Sequence, residues 1–265
     1  MRIHLDSDKL YVISTIFSYE PYDFLYFMRV YDAKDGRFER EISITRDIQH
    51  AKPIIHKGHL FVPRDRVIDV CDINDGKKKY EIYCRGSTWY TFPNQITAIA
   101  FTGDDKLIVN LGLSISMYTP SPVDVGCYNL YVPLINKREY PQDARDMVVY
   151  KDEIYILLDA NQGIRVYNLS GFRIREYQFV PHDKDEDLAW SLAVSSFGMA
   201  IAFPHSKYIL IYNLDGTFQR QIGSKADEAF NLCSNVAFSD SGELFVSSDS
   251  TLLEMTFGDC VQVFR

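Results

Sequence analysis

Short runs of apolar residues, each flanked by polar ones, fill the chain, and one run returns six times. Its copies are Lys9-Leu10-Tyr11-Val12, His59-Leu60-Phe61-Val62, Lys106-Leu107-Ile108-Val109, Glu153-Ile154-Tyr155-Ile156, Gly198-Met199-Ala200-Ile201 and Glu243-Leu244-Phe245-Val246. Counted from Leu10, Leu60, Leu107, Ile154, Met199 and Leu244, the intervals are 50, 47, 47, 45 and 45 residues. A strand-built repeat of this period predicts a β-propeller, because one unit cannot cover its own apolar faces and must stack on the next.

Each recurring strand is followed by a second apolar strand that ends in a turn. Examples are Met28–Asp32 before Gly36, Ile68–Asp72 before Gly76, Ile164–Asn168 before Gly171 and Ile209–Asn213 before Gly216. The Asp or Asn side chain bonds its own backbone two residues on, and Gly accepts positive φ, so these endings predict hairpins. A polar-alternating strand then follows, as in Phe38 to Ile44, Lys78 to Cys84, Arg173 to Phe179 and Phe218 to Ile222. Short runs of small apolar residues precede the recurring strand, as in Ile96–Phe101 and Asn235–Phe238, and suit the crowded wall of a central channel. The expectation is an all-β chain, a six-bladed β-propeller of four-stranded antiparallel blades, with no helix longer than a turn. It reads as a single domain over 1–265, with blades near 1–45, 46–94, 95–142, 143–189, 190–232 and 233–265. The first blade would begin with its own inner strand, Arg2 to Leu5. The last would end with its own outer strand, Cys260 to Phe264, so that no strand is shared between the termini.

Two blades depart from the spacing. The usual distance from the recurring strand to the turn Gly is 16 or 17 residues, but Leu10 to Gly36 is 26. In the third blade the turn is expected at Asn136-Lys137, 29 after Leu107. The extra residues, Phe17 to Asp23 and Thr119 to Gly126, are expected between second and third strands. Insertions in repeat proteins gather on one face, often the binding face.

These repeats resemble the NHL family of six-bladed propellers. The resemblance lies in Val236-Ala237-Phe238-Ser239-Asp240-Ser241-Gly242-Glu243-Leu244-Phe245-Val246-Ser247-Ser248-Asp249 and in Ile164-Arg165-Val166-Tyr167-Asn168-Leu169-Ser170-Gly171. It is closest in the last three blades, and the aspartate after the recurring strand is missing in the third and fifth. The resemblance implies a protein- or RNA-binding platform, or a calcium- or zinc-dependent hydrolase or lyase. Its motifs are structural, and fold does not fix function.

Charge narrows the choice. A formal net charge of −8 argues against nucleic acid as a general partner, which demands a positive footprint. The five cysteines (Cys71, Cys84, Cys127, Cys233 and Cys260) are odd in number and lack C-x-x-C spacing, so reduced, buried thiols are expected. The first residues lack the apolar stretch of a signal peptide, and no apolar run reaches the ~18 residues of a membrane helix. A cytoplasmic or nuclear protein without membrane contact is the expectation. Asn168-Leu169-Ser170 matches a glycosylation sequon, read here as a chance match.

Metal chemistry in such propellers draws on the starts of the inner strands. Those positions hold Ala98, Met147, Ser191 and Asn235, preceded by Thr97, Asp146, Trp190 and Ser234. One Asp and one Asn fall short of three or four converging ligands. His56-x-x-His59 spans a turn and reads as a solvated pair. Asp183-Lys184-Asp185-Glu186-Asp187 lacks the sixth-position Gly and twelfth-position Glu of a calcium loop, and reads as a solvated acidic loop with docking as the alternative. No nucleophile elbow or phosphate loop is present, and no cofactor is expected. Lys77-Lys78-Lys79 reads as a charged hairpin that discourages edge pairing, with phosphate contact as the alternative.

The surface candidates are aromatic and acidic. Trp89, Tyr90 and Phe92 lie together in a connecting segment, and Tyr19 and Tyr22 flank the first insert. Trp and Tyr are enriched at interface hot spots. With Asp183, Asp185 and Asp187 they form the expected partner-binding set, although the aromatic segment could equally fold inward as a lid. The function expected is a non-catalytic protein-interaction platform for a protein partner. The alternatives are a channel-site metal enzyme and a single-stranded RNA binder.

Overall fold

The computed structural model describes residues 2–6, 8–19, 22–44, 51–84, 95–111, 115–120, 132–135, 144–158, 163–179, 188–224, 233–249 and 259–264. All described elements are strands, arranged as six antiparallel sheets, the all-β six-bladed propeller class. Sheet 1 holds β1 (Arg2–Asp6), β2 (Lys9–Tyr19), β3 (Tyr22–Asp32) and β4 (Phe38–Ile44). Sheet 2 holds β5 (Ile54–His56), β6 (His59–Arg64), β7 (Val67–Asp72) and β8 (Lys78–Tyr83). Sheet 3 holds β9 (Ala98–Phe101), β10 (Leu107–Asn110), β11 (Ile115–Tyr118) and β12 (Val132–Ile135). Sheet 4 holds β13 (Ala144–Tyr150), β14 (Glu153–Leu158), β15 (Ile164–Asn168) and β16 (Arg173–Tyr177). Sheet 5 holds β17 (Ser191–Ser195), β18 (Gly198–Phe203), β19 (Tyr208–Tyr212) and β20 (Phe218–Gly223). Sheet 6 holds β21 (Cys233–Phe238), β22 (Leu244–Asp249) and β23 (Asp259–Phe264). In every sheet the strands are hydrogen-bonded in chain order.

Contacts group the chain into two compact units, one with sheets 1, 5 and 6 and the other with sheets 2, 3 and 4. Within the second unit, successive residues of β10 serve opposite neighbours. Leu107 and Val109 join Phe61, Ile68, Val70 and Ile82 of sheet 2, while Ile108 joins Met147, Ile154 and Ile156 of sheet 4. Both faces of β10 are therefore covered, and all four of its residues are buried. The first unit repeats the pattern. Leu244 and Val246 of β22 pack with Ala200, Ala202, Ile209 and Ile211 of sheet 5, and Phe245 packs with Ile3, Leu10 and Val12 of sheet 1. Small residues at Ala98, Ala100, Ala200 and Ala202 let neighbouring sheets approach at these layers.

The predicted hairpins form. Asp32 Oδ1 accepts from the Lys34 amide at 2.9 Å, Asp72 Oδ1 from the Asn74 amide at 2.8 Å, and Asn168 Oδ1 from the amides of Ser170 and Phe172 at 3.0 and 2.9 Å. Beside these turns the third-to-fourth strand ladder slips by one residue, at Val30/Tyr31, Val70/Cys71, Val166/Tyr167 and Ile211/Tyr212. A bulge recurring at one repeat position adds twist where each outer strand begins. Gly198 holds φ at +130°, and a β-carbon there would collide with the Tyr212 carbonyl oxygen across the β18–β19 pair.

Three expectations need correction. Phe17 to Asp23 do not form an inserted loop between strands. They extend them: β2 and β3 are eleven residues each and pair without slippage to Tyr19↔Tyr22. The insert after Thr119 does not fall between second and third strands. Ile115–Tyr118 is itself the third strand, with Leu107 opposite Tyr118, and Val132–Ile135 is the fourth, so the turn is not at Asn136-Lys137. Finally, Cys260 to Phe264 is not an outer strand. It pairs with β22 as the third strand, and sheet 6 shows no fourth among the described residues. Sheet 1 does start with its own inner strand, β1, which pairs with β2 from Arg2↔Ile13 to Asp6↔Lys9.

Replacing Ile68 by Ala, a fully buried residue shared between sheets 2 and 3, should cost about 2–5 kcal/mol. Gly198→Ala should cost about 2–3 kcal/mol through backbone strain. Denaturant melts of both variants measure this, and an unchanged midpoint for Gly198→Ala would refute the close approach at Tyr212.

Candidate functional site

The end of sheet 2 that carries the aromatic segment is built from backbone bonds. The Cys84 amide donates to Arg66 O at 2.8 Å and the Ile96 amide to Asp65 O at 2.7 Å. Both residues are buried, so the chain leaves sheet 2 and re-enters sheet 3 beside the β6–β7 turn. Trp89, Tyr90 and Phe92 fall in the span between them, 85–94, outside the described residues. Ahead of the acidic segment the anchor is aromatic packing. Phe179 is buried, with ring centroids 6.1 Å from Phe203 and 6.0 Å from Tyr212. Asp183, Asp185 and Asp187 lie outside the described residues.

Tyr19 and Tyr22 face each other as the last pair of the β2–β3 ladder. The fourth strand of sheet 1 reaches only Tyr26↔Ile44, and β1 only Arg2↔Ile13. From Thr15 to Tyr19 and from Tyr22 to Leu25 the two strands are therefore paired only with each other among the described residues. A two-stranded ribbon with no sheet to lean on is marginal in water by itself.

The inner-strand positions do not converge on a metal. Among the described residues no group of three His, Cys, Asp or Glu side chains is arranged to hold one. Asp146 is buried, accepts from the Met147 amide at 2.9 Å, and lies 3.8 Å from Lys52 Nζ, itself largely buried. Lys52 was invisible as a partner in the sequence, because it precedes β5, two sheets earlier. In the other unit Ser234 and Ser247 hydroxyls are 3.2 Å apart, and Ser191 Oγ accepts from the Val236 amide at 3.4 Å. Ser191 joins the inner strands of sheets 5 and 6, and the serine pair joins β21 to β22. Trp190, just before β17, is 44% exposed.

His56 and His59 face each other across the β5–β6 pair without a shared ligand. His56 stacks on Phe101 at 3.9 Å and meets Asp105 Oδ1 at 2.9 Å, whereas His59 Nδ1 lies 3.0 Å from Lys57 O. The lysine run is neutralised where it stands. Lys77 reaches Asp75 at 3.2 Å, Lys78 reaches Asp69 at 3.2 Å and Glu81, and Lys79 reaches Asp72 at 2.7 Å. Bonds from Lys79 and the Asn74 amide hold the Asp72 carboxyl down at about 2. The sequon Asn168 spends its side-chain oxygen inside its own turn.

Cys71, Cys84 and Cys233 are free and buried. Burial raises the Cys71 thiol to about 11 and the Cys84 thiol to about 12, which leaves almost no thiolate at neutral pH.

No family model matches the chain. No curated protein matches it in sequence. Among solved structures it is similar to PorZ, an essential bacterial surface component of the type-IX secretion system of Porphyromonas gingivalis. The identity is 11%, the TM-score 0.53, and the match covers 92% of this chain but 35% of PorZ, so the chain spans about a third of that protein. It is also similar to a protein of unknown function from Bacteroides caccae, at 9% identity and a TM-score of 0.57, covering 84% of this chain and 79% of that one. At such identities the likeness shows the fold alone.

Lys52→Met should destabilise the protein by about 3 kcal/mol by stranding the buried Asp146 carboxylate, and adding Asp146→Asn should recover most of the loss. Additive losses in a double-mutant cycle would show the pair uncoupled. Because the Asp72 carboxyl is depressed, its contribution to stability is complete above about pH 4 and is lost as pH falls through about 2. Asp72→Asn should therefore lose stability at pH 7 and show a shallower acid limb in urea melts. Native protein at pH 8 should leave Cys71, Cys84 and Cys233 unalkylated by iodoacetamide, read by peptide mass mapping, with labelling only on unfolding.

Proposed function

We propose that the chain is a non-catalytic protein-interaction platform on an NHL-like propeller scaffold. The observation that carries this reading is the β2–β3 ribbon. Among the described residues its eleven-residue strands run past the pairing of β1 and β4, and Tyr19 and Tyr22 are its last pair. A ribbon that is marginal alone gains stability when a second surface covers it. Aromatic residues in such a place serve as contact area at low entropic cost. Trp89, Tyr90 and Phe92 are the second aromatic group assigned to partner contact. Asp183, Asp185 and Asp187 are assigned as its acidic counterpart. Rigid strands bearing adaptable connections are a common arrangement for binding platforms. PorZ, of similar fold, is a component of a secretion system, which agrees with a role in assembly.

The described residues favour neither alternative. Asp146, the one acidic side chain at an inner-strand start, is matched to Lys52. The one lysine run is matched to carboxylates.

Affinity capture from the native source, comparing wild type with Tyr19→Ala/Tyr22→Ala and with Trp89→Ala/Tyr90→Ala/Phe92→Ala, tests the reading. A protein retained by wild type and lost from a folded variant is the expected result. Identical protein recoveries from all three would overturn the assignment of these aromatics, and RNA recovered in place of protein would overturn the class.

A further inference from the structure

The outer strand begins in one way in sheets 1, 2 and 5 and in the reverse way in sheet 4. The hairpin bonds align Arg37, Lys77, Thr217 and Phe172, whose carbonyls accept from the amides of Asp32, Asp72, Asn213 and Asn168. Two residues on, inside the ladder slip, stand Glu39, Lys79, Gln219 and Ile174. In sheets 1, 2 and 5 both positions are polar, and the second closes back on its own sheet. Glu39 meets Lys9, Lys79 meets Asp72 at 2.7 Å, and Gln219 meets Asn213. In sheet 4 both positions are large and apolar. Phe172 is 70% exposed and Ile174 is 43% exposed.

The residue between them is reversed as well. Phe38 and Phe218 stand there in sheets 1 and 5, with ring centroids 5.7 and 5.6 Å from those of Tyr31 and Tyr212. Sheet 4 has Arg173, paired opposite Tyr167. The exchange gives up a ring packed on its own sheet and leaves two apolar side chains in water. Outer strands are ordinarily guarded by charge at such positions, and apolar surface here gains free energy when something covers it.

The charge between the two side chains indicates what covers them. Glu176 accepts from Arg173 at 2.9 Å and lies 3.2 Å from Arg165, so one carboxylate serves two guanidinium groups. Glu153 meets Arg175. Strands β14 to β16 thus carry three arginines against two glutamates, in a chain whose net charge is −8. An acidic group beside Arg173 evens that balance. A second copy of the chain does not fit, because a two-fold contact centred here sets Arg173 beside Arg173. Two side chains also fall far short of the ~800 Å² per partner that a stable protein pair buries.

We propose that the outer strand of sheet 4 docks an extended segment of a partner protein in which an acidic residue stands between two apolar ones. The apolar pair covers Phe172 and Ile174, and the carboxylate reaches Arg173. Apolar contact supplies affinity, and the charge selects the partner. This surface is separate from the aromatic and acidic groups assigned above, so either assignment can fail without the other.

The probe is a fluorescein-labelled peptide, Ser-Glu-Leu-Glu-Val-Glu-Ser, titrated with the full chain and read by fluorescence anisotropy. Saturable binding is expected. Ile174→Asp, at an exposed position, should abolish it with the melting temperature unchanged, and Tyr19→Ala/Tyr22→Ala should leave it intact. Arg173→Glu should weaken it roughly five- to tenfold, and the same peptide with Lys in place of its central Glu should regain binding to that variant. No saturable binding, or binding indifferent to Ile174→Asp, would sink the proposal. So would self-association in sedimentation that is lost in Ile174→Asp, because a second copy would then occupy the strand.

Discussion

Everything in the described structure depends on the second strand of each sheet being covered on both faces. Leu107 and Val109 look one way from β10 and Ile108 the other, and β22 divides Leu244 and Val246 from Phe245 in the same manner. Because side chains alternate with a period of two, a slip of one residue would exchange the two sets and present each to the wrong neighbour. Register and sheet stacking are therefore one constraint. The third strand shares it, which is why Ile68, Ile164 and Ile209 are as inaccessible as the strands they pair with. The outer strand is released from it. It is mostly exposed, as the pattern of β20 shows, and buries only one or two apolar residues, as Ile82 of β8 and Ile42 and Ile44 of β4 do.

That gradient explains where polar groups are tolerated. At the outer strands, charges find partners in the surrounding water and in each other, so the lysines of β8 and the preceding turn cost little and mark no ligand. At the inner strands the same groups need a partner inside the protein. Asp146 has Lys52, Ser191 accepts from the Val236 amide between the inner strands of sheets 5 and 6, and Ser234 meets Ser247 on the adjacent strand of sheet 6. Buried polar groups here tie strands and sheets together.

Two of the sheets differ from the repeat in their described strands. Sheet 1 has too much strand, and its surplus is a ribbon that ends at Tyr19 and Tyr22. Sheet 6 shows three strands among the described residues, and Val261 and Val263 line a cavity there.

The sequence by itself determined the class of fold, the number of sheets and the turns. These depend on local chemistry repeated six times: apolar runs at a fixed period and Asp or Asn ahead of Gly. It also located the aromatic and acidic segments, though Trp89, Tyr90, Phe92, Asp183, Asp185 and Asp187 lie outside the described residues and only Tyr19 and Tyr22 could be followed to a place in a sheet. Which strand pairs with which could be settled only in three dimensions. Ile115–Tyr118 and Cys260–Phe264 are strands by pattern, but their rank depends on the partner opposite Leu107 and Leu244, and pairing is a contact between segments distant along the chain. The extension of β2 and β3 through an apparent insert, the meeting of Lys52 with Asp146 and the cavity beside β23 are of the same kind. Each arises where two distant segments come together, and no local pattern encodes that meeting.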